Sequence, residues 1–233
     1  MGDEHMRQLT AALAVAGICI LTAGCSSSNQ GTKTSTTTTT TTTTAPPLAE
    51  TALDGLLLGP EQVNTAMGAT EMAVTKTHTS MSDDSATMAP KECLAIDGSA
   101  QAQVYADSGY TALRDQTLQE GDNFTHYVEQ AVVSFPSAKQ ANAFFTASAQ
   151  QWPACHQYTH TQTNSEWTVG PVSNTNGTLS TSATQQNANA PGWSCGRAMA
   201  IKNNVVIDIN TCSANPTDSA VNIANQIAAK VPA

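Results

Sequence analysis

Cys25 is the residue whose chemistry is most clearly marked by its neighbours, because it follows the small residues Ala23 and Gly24. A thiol after such a thin backbone suits cleavage of a signal peptide and alkylation of the sulfur by a lipid. Upstream, residues 9–21 form a mostly apolar run that is too short to span a bilayer. The sequence therefore predicts a signal peptide over 1–24 and a lipoprotein anchored by Cys25 at the outer face of a cell membrane.

The other cysteines of the exported chain are expected to form two disulfides, since they are even in number and reach an oxidising compartment. Residues 193–202 and 205–213 are strand-like, and the two asparagines between them suit a two-residue hairpin turn. In that register Cys195 faces Cys212 directly, at a non-hydrogen-bonded pair. Cys93 is then left to pair with Cys155.

The same register places Arg197, Met199 and Asp208 on one face of the hairpin, and Trp193 near the disulfide at its open end. One interpretation is a solvated face with an exposed Arg197–Asp208 ion pair of under about 1 kcal/mol. The other is a ligand-facing wall, in which Arg197 holds a carboxylate, phosphate or sugar hydroxyl. The candidate ligand-binding residues are therefore Trp193, Arg197, Met199 and Asp208.

Patterns for catalysis, metals or nucleic acid are weak in this chain. Cys155, His156 and His160 have a metal-like spacing, but Cys155 is already assigned to a disulfide. The sequence lacks a Gly-x-Ser-x-Gly elbow and a glycine-rich phosphate loop. Without residues 1–24 the chain holds 16 acidic and 8 basic residues, which disfavours contact with nucleic acid phosphates. We expect no catalytic residue, no metal and no cofactor, and hence no enzyme.

The elements that must position these residues belong to one domain, predicted over 53–233, after a disordered Ser/Thr-rich stalk over 25–52. Hydrophobic spacing and capping residues predict four helices, and alternating apolar residues predict four strands besides the hairpin. The helices are 60–67, 99–105, 137–152 and one starting at 216, and the strands are 109–118, 125–135, 166–172 and 177–185. Residues 76–91 are predicted to form a loop. The fold class is α+β, an antiparallel sheet with helices packed on one face.

Longer stretches of the chain resemble a known family. Residues 56–68, 122–155, 167–185 and 203–229 are similar to the mycobacterial PknH-like extracellular domain, the outer part of a receptor kinase. The whole chain resembles LppH-type lipoproteins, which carry that domain on a lipid. The resemblance implies a sheet-plus-helices fold, two disulfides and a large cleft suited to a ligand. Because this sequence shows no transmembrane helix and no kinase domain, signalling by the chain alone is not implied.

These observations predict a membrane-anchored, extracytoplasmic ligand-binding domain that is sensor-like and non-catalytic. Its ligand would be a small molecule or an envelope component. The alternative is an interaction module that acts on a related kinase ectodomain or another cell-wall protein. A cleft with apolar and polar walls would favour ligand binding, whereas a flat exposed apolar patch would favour protein docking.

Overall fold

The structure, a computed structural model, describes residues 45–122 and 124–232. The predicted signal peptide over 1–24, the lipidation residue Cys25 and most of the predicted stalk lie outside these residues. Within the described part of the chain, no helix is long and apolar enough to cross a membrane.

In the described residues, ten strands form one antiparallel sheet. In chain order they are β1 (Ala73–His78), β2 (Met88–Ala89), β3 (Ala112–Gln119), β4 (Tyr127–Ser134), β5 (Gln157–His160), β6 (Ser165–Val169), β7 (Ser173–Thr175), β8 (Thr178–Gln185), β9 (Ser194–Lys202) and β10 (Val205–Ser213). The order across the sheet is β1-β3-β4-β10-β9-β8-β6-β5-β2, and β7 pairs only with β8. The central strands are β10, β9 and β8.

Five α-helices between residues 45 and 232 accompany the sheet. They are α1 (Pro60–Met67), α2 (Leu94–Asp97), α3 (Ala102–Tyr105), α4 (Ala138–Gln151) and α5 (Ser219–Lys230). Ser137 caps α4 as predicted, since its hydroxyl accepts a hydrogen bond from the Gln140 amide. The C-terminal helix begins at Ser219 instead of Pro216, because Thr217 takes a positive φ of 45° that interrupts helical geometry.

The β9–β10 hairpin has the predicted register, and its two faces carry two separate hydrophobic cores. On one face, Ala198 and Ala200 lie beside Ile207 and Ile209, and α5 packs on this smooth surface through residues such as Ile223. On the opposite face, a second core holds Met199 and Val206 of the hairpin. It also holds Phe145 of α4 and Trp152, which follows that helix.

The α+β class and the antiparallel sheet are thus confirmed, but the prediction that helices cover only one face is wrong. Helix α5 lies on one side, while α2, α3 and α4 lie on the other. The reason is that the second face mixes polar residues with large apolar ones, such as Leu113 and Val133. The apolar residues of this face still have to be buried, so helices cover it as well.

The fold begins earlier than residue 53. The Asn203 side chain donates a hydrogen bond to the Pro46 carbonyl at 2.9 Å. Asn204 receives one from the Leu48 amide at 2.7 Å and donates one to the Leu48 carbonyl at 3.1 Å. The last residues of the predicted stalk are therefore held at the turn of the hairpin, because two turn asparagines offer amide groups to the extended chain.

Four of the described strands, at or near the sheet edges, escaped sequence prediction. Strands β1 and β2 lie within or beside the predicted loop 76–91, and β5 and β7 lie between the predicted elements. All six residues of β1 are exposed, so its sequence shows no alternation of apolar and polar residues.

Both predicted disulfides are confirmed. Cys93 and Cys155 are bonded with their Cα atoms 4.9 Å apart. Cys195 and Cys212 are bonded with a Cα separation of 4.0 Å, the short separation expected where cross-strand cysteines face each other directly.

The two bridges should differ in their effect on stability, because they close loops of 62 and 17 residues. Replacing Cys93 and Cys155 together by alanine should lower the free energy of unfolding by about 4 kcal/mol, against about 3 kcal/mol for the Cys195 and Cys212 pair. Urea unfolding of the full chain measures both values. A peptide map without reduction that linked Cys155 to Cys195 would contradict the pairing itself.

Candidate functional site

The site is built on the face of the sheet opposite α5. Because side chains alternate along each strand, the register of β3, β4, β10, β9 and β8 places one polar row across this face. The row consists of Thr117, Glu129, Asn210, Arg197 and Thr181. Such a row inside a protein requires either internal hydrogen bonds or access to solvent.

Arg197 and Asp208 form an ion pair in the covered part of this face. One guanidinium nitrogen of Arg197 lies 2.7 Å from the Asp208 carboxylate, and only 1% and 2% of the two side chains are exposed. Arg197 also donates hydrogen bonds to the carbonyls of Ala95 and Ile209, and its guanidinium lies 5.3 Å from the centre of the Trp152 ring. All its hydrogen-bonding directions therefore point into the protein.

Asp208 is equally well satisfied. Its second carboxylate oxygen accepts hydrogen bonds from the Ala100 amide and the Tyr105 hydroxyl, each at 3.0 Å. Burial, together with the Asp208 charge, raises the pKa of Tyr105 well above its usual value. The pair thus ties the segment that carries α2 and α3 to the centre of the sheet.

These contacts contradict the proposed ligand-facing roles of Arg197, Asp208 and Met199. The predicted pairing of Arg197 with Asp208 is present, but it is buried instead of lying on a wet surface. Met199 is fully buried in the second core. The reason is that α2, α3 and Trp152 cover this face of the hairpin. These elements lie outside the hairpin, so its own sequence pattern does not reveal them. Trp193 alone among the four candidates lies half-buried at an open cleft.

That cleft lies at the open end of the hairpin, beside the Cys195–Cys212 bridge, and has a volume of about 230 Å³. Its lining combines aromatic rings, carboxylates and one histidine. The main lining side chains are Asp84, Asp97, Phe124, Tyr127, Glu129, Tyr158, His160, Trp167 and Trp193. Asn210 of the polar row also reaches it, so the cleft exposes the uncovered end of that row.

The aromatic residues of the cleft form two groups. Phe124 lies between Tyr127 and Trp193, with ring centroids 6.1 and 6.3 Å apart. Tyr158 and Trp167 stack with their rings nearly parallel, 5° apart in orientation and 5.8 Å between centroids. Phe124 is 37% exposed, so part of this aromatic surface is open to solvent.

The polar residues of the cleft are mostly acidic. Asp97 lies 2.6 Å from His160, and this hydrogen bond raises the pKa of His160. Asp84 accepts a hydrogen bond from the buried Gln101 side chain at 2.8 Å. Glu129 is 9% exposed, and burial raises its pKa to about 7. The cleft can therefore hold polar or positively charged groups against aromatic surface.

Most of these cleft residues were missed by sequence reasoning. Tyr127 and Glu129 stand two apart in a predicted strand, a spacing that places them on one face, and this signal could have been used. His160 was considered only for a metal site with Cys155 and His156. In the structure Cys155 is disulfide-bonded and His160 contacts Asp97. Among the described residues, no group of three potential metal ligands comes together.

The protein-family model of the PknH-like extracellular domain matches residues 48–230. This range includes every strand and helix of the structure.

Curated relatives and a solved structure agree with this match. The serine/threonine-protein kinase PknH of Mycobacterium bovis is 40% identical over 190 residues, covering 79% of this chain and 32% of the kinase. PknH of Mycobacterium tuberculosis gives the same identity, over 30% of its length. The crystal structure of the extracellular domain of PknH from M. tuberculosis matches with a TM-score of 0.73 and 38% identity, covering 79% of this chain and 96% of that domain. The chain spans about a third of the length of these curated relatives.

Arg197→Ala should be strongly destabilising, because it leaves the Asp208 carboxylate buried without its cation. We expect a loss of about 3–5 kcal/mol in the free energy of unfolding. Arg114→Ala is the matched control, since Arg114 pairs with Glu50 and Asp54, whose side chains are 60% and 65% exposed. That change should cost under about 1 kcal/mol. Equal losses in chemical denaturation of the two variants would contradict the structural role of Arg197.

The stability of the domain should fall as the pH rises from about 4 to 8. Burial and the nearby Glu129 raise the pKa of Asp115 to about 8, and neither of its carboxylate oxygens has a hydrogen-bond partner among the described residues. The folded state therefore holds a proton that the unfolded chain releases above its ordinary pKa of 3.8. The raised pKa values of Glu129 and His160 act in the same direction.

Asp115→Asn tests this directly. Relative to the unchanged protein, the variant should have a higher free energy of unfolding at pH 8. This increase should exceed the increase at pH 4 by more than about 1 kcal/mol. Asp107→Asn provides an exposed control at a residue with positive φ, where asparagine is equally acceptable. An equal change in stability between pH 4 and pH 8 for Asp115→Asn and Asp107→Asn would contradict the raised pKa of Asp115.

Proposed function

The chain belongs to the family of PknH-like extracellular domains, and we propose that it serves as a non-catalytic, sensor-like domain that binds a ligand outside the cytoplasm. The observation that carries the proposal is the cleft at the open end of the β9–β10 hairpin. Two groups of aromatic rings line it, and carboxylates and a histidine supply directional contacts. Concave sites of this mixed composition are the usual form of small-molecule sites.

The location of the domain is part of the same proposal. The matched region of the relative is an extracellular domain by its name. Two disulfides suit an oxidising compartment. The sequence before the domain has the pattern of a lipoprotein signal, with Cys25 as the lipidated residue. We therefore propose attachment to the outer face of the cell membrane by a lipid on Cys25.

Protein docking receives less support from the exposed surface. The large apolar residues that are exposed in the described structure are Val74, Tyr110 and Phe124, from three different segments. Phe124 belongs to the cleft. Scattered single apolar residues are normal on soluble domains and do not by themselves mark an interface.

One preparation tests anchoring and binding together. The full chain, isolated from its own envelope, should partition with membranes and carry a retained small molecule detectable by native mass spectrometry. Cys25→Ala should move the protein to the soluble fraction, because the acyl anchor is lost. Trp193→Ala should greatly reduce the fraction of protein that carries the small molecule, because it removes one of the aromatic side chains that line the cleft.

Val74→Ala is the control for the cleft variant, since Val74 is an exposed apolar residue on the edge strand β1. It should retain the same mass as the unchanged protein. Unchanged membrane partition of Cys25→Ala would overturn the lipid anchor. Equal retention by Trp193→Ala and Val74→Ala, or no retained mass at all, would overturn the cleft as the binding site.

A further inference from the structure

The cleft has acidic side chains without a compensating side chain of lysine or arginine. Asp84, Asp97 and Glu129 line it, and the described lining residues include neither lysine nor arginine. The nearest buried cation of the sheet, Arg197, is fully engaged with Asp208 and two carbonyls. His160 is the one basic side chain in the lining, and it is hydrogen-bonded to Asp97. Its charge is therefore matched locally, which leaves Asp84 and Glu129 unmatched.

Glu129 lies at the inner end of the cleft, in the polar row of the sheet. Its residue is nine-tenths buried, and the Ser99 side chain lies close to it. Burial raises the pKa of Glu129 to about 7, because the nearby charge of Arg197, which favours the ionised form, does not offset the cost of removing the carboxylate from water. A cation that entered the cleft would favour the ionised form further.

The aromatic residues of the cleft add a second, independent feature. Phe124 and Trp193 form one pair of neighbouring rings in the lining, and Tyr158 and Trp167 form a second pair. The faces of aromatic rings attract organic cations, and aromatic residues combined with carboxylates are a common way of binding ammonium groups. The volume of about 230 Å³ is below that of most sites for drug-sized ligands.

From this arrangement we infer that the cleft binds a small organic cation, with its ammonium group between the aromatic rings and Glu129. The inference rests on the proposed ligand-binding function and names its ligand class. An anionic ligand would meet Asp84, Asp97 and Glu129 with the same sign of charge. A neutral ligand would bring no positive charge to Asp84 and Glu129, and the nearby Arg197 is already paired with Asp208.

The probe is cadaverine, and the comparison ligand is 1,5-pentanediol, which has the same carbon chain and no charge. Calorimetric titration of the full chain at pH 8 should show cadaverine binding at least tenfold more tightly than the diol. Glu129→Gln should reduce that affinity at least tenfold, although glutamine has nearly the same shape. Glu61→Gln, an equal loss of charge on the exposed surface of α1, should leave the affinity unchanged.

Phe124→Leu separates aromatic from merely apolar contact. Phe124 is 37% exposed, so this change should leave the fold intact and keep an apolar surface at the cleft. Cadaverine should nevertheless bind several-fold more weakly, because leucine has no ring face for the cation. Unchanged affinity of this variant would overturn the proposed role of the rings.

The affinity should also depend on pH in a defined direction. The charged groups that face Glu129 come from neighbouring elements: Asp84 before β2, Asp115 on β3, Arg197 on β9 and Asp208 on β10. As the pH rises from 6 to 8, Glu129 loses its proton and cadaverine should bind more tightly. Glu129→Gln should remove most of this dependence.

The outcomes distinguish this inference from the function on which it rests. Equal affinity for cadaverine and the diol, or no effect of Glu129→Gln, would overturn the ligand class. Native mass spectrometry could instead find a neutral compound that the unchanged protein retains and Trp193→Ala does not. The inferred class of ligand would then be wrong, and the proposed binding function would stand. If no mass depended on Trp193, both would fail.

Discussion

The register of the β9–β10 hairpin is the constraint on which the rest of the structure depends. A two-residue turn with Asn203 at a positive φ of 52° fixes every cross-strand pair. Since strand side chains alternate with a period of two, a shift by one residue would exchange the two faces. The small alanines would then no longer face α5, and Cys195 would no longer meet Cys212. The disulfide therefore holds in place the same register that sorts the two cores.

The second face shows how a buried charge pair can join elements that are distant in sequence. Arg197 and Asp208 contact Ala95, Ala100 and Tyr105, which lie about a hundred residues earlier in the chain. A buried ion pair is weak evidence for net stability, because removing both charges from water is costly. Its directional hydrogen bonds nevertheless specify where the short helices α2 and α3 lie. The open cleft is what remains where this cover ends, so the position of the cleft follows from the position of the pair.

The parts of the fold that sequence could predict are those with local and regular patterns. The turn asparagines and the cysteine spacing predicted the hairpin and both disulfides, and periodic apolar residues predicted α4 and most of α5. The exposed edge strand β1 has no such pattern, and the short helix α2 is too brief to show one. For Arg197 and Asp208 the hairpin pattern predicts either a solvated face or a ligand-facing wall, since charged residues are seldom fully buried. Their burial depends on contacts with residues 95–105, and no pattern within the hairpin contains that information. Trp193 was identified because it stands beside Cys195, whereas Tyr158 and Trp167 reach the cleft only through the folding of β5 and β6.

The contacts of Pro46 and Leu48 with the turn asparagines have a practical consequence for handling this protein. The chain enters the domain at the turn of the hairpin, whereas the cleft opens beside Cys195 and Cys212 at the other end of the strands. At about 3.3 Å per residue, the strands separate these two points by roughly 25 Å. A reporter protein or a biosensor surface joined to the chain before Pro46 would therefore meet the domain at the end remote from the cleft. Immobilisation through the N-terminal side would leave the mouth of the cleft free for soluble compounds in a screening assay.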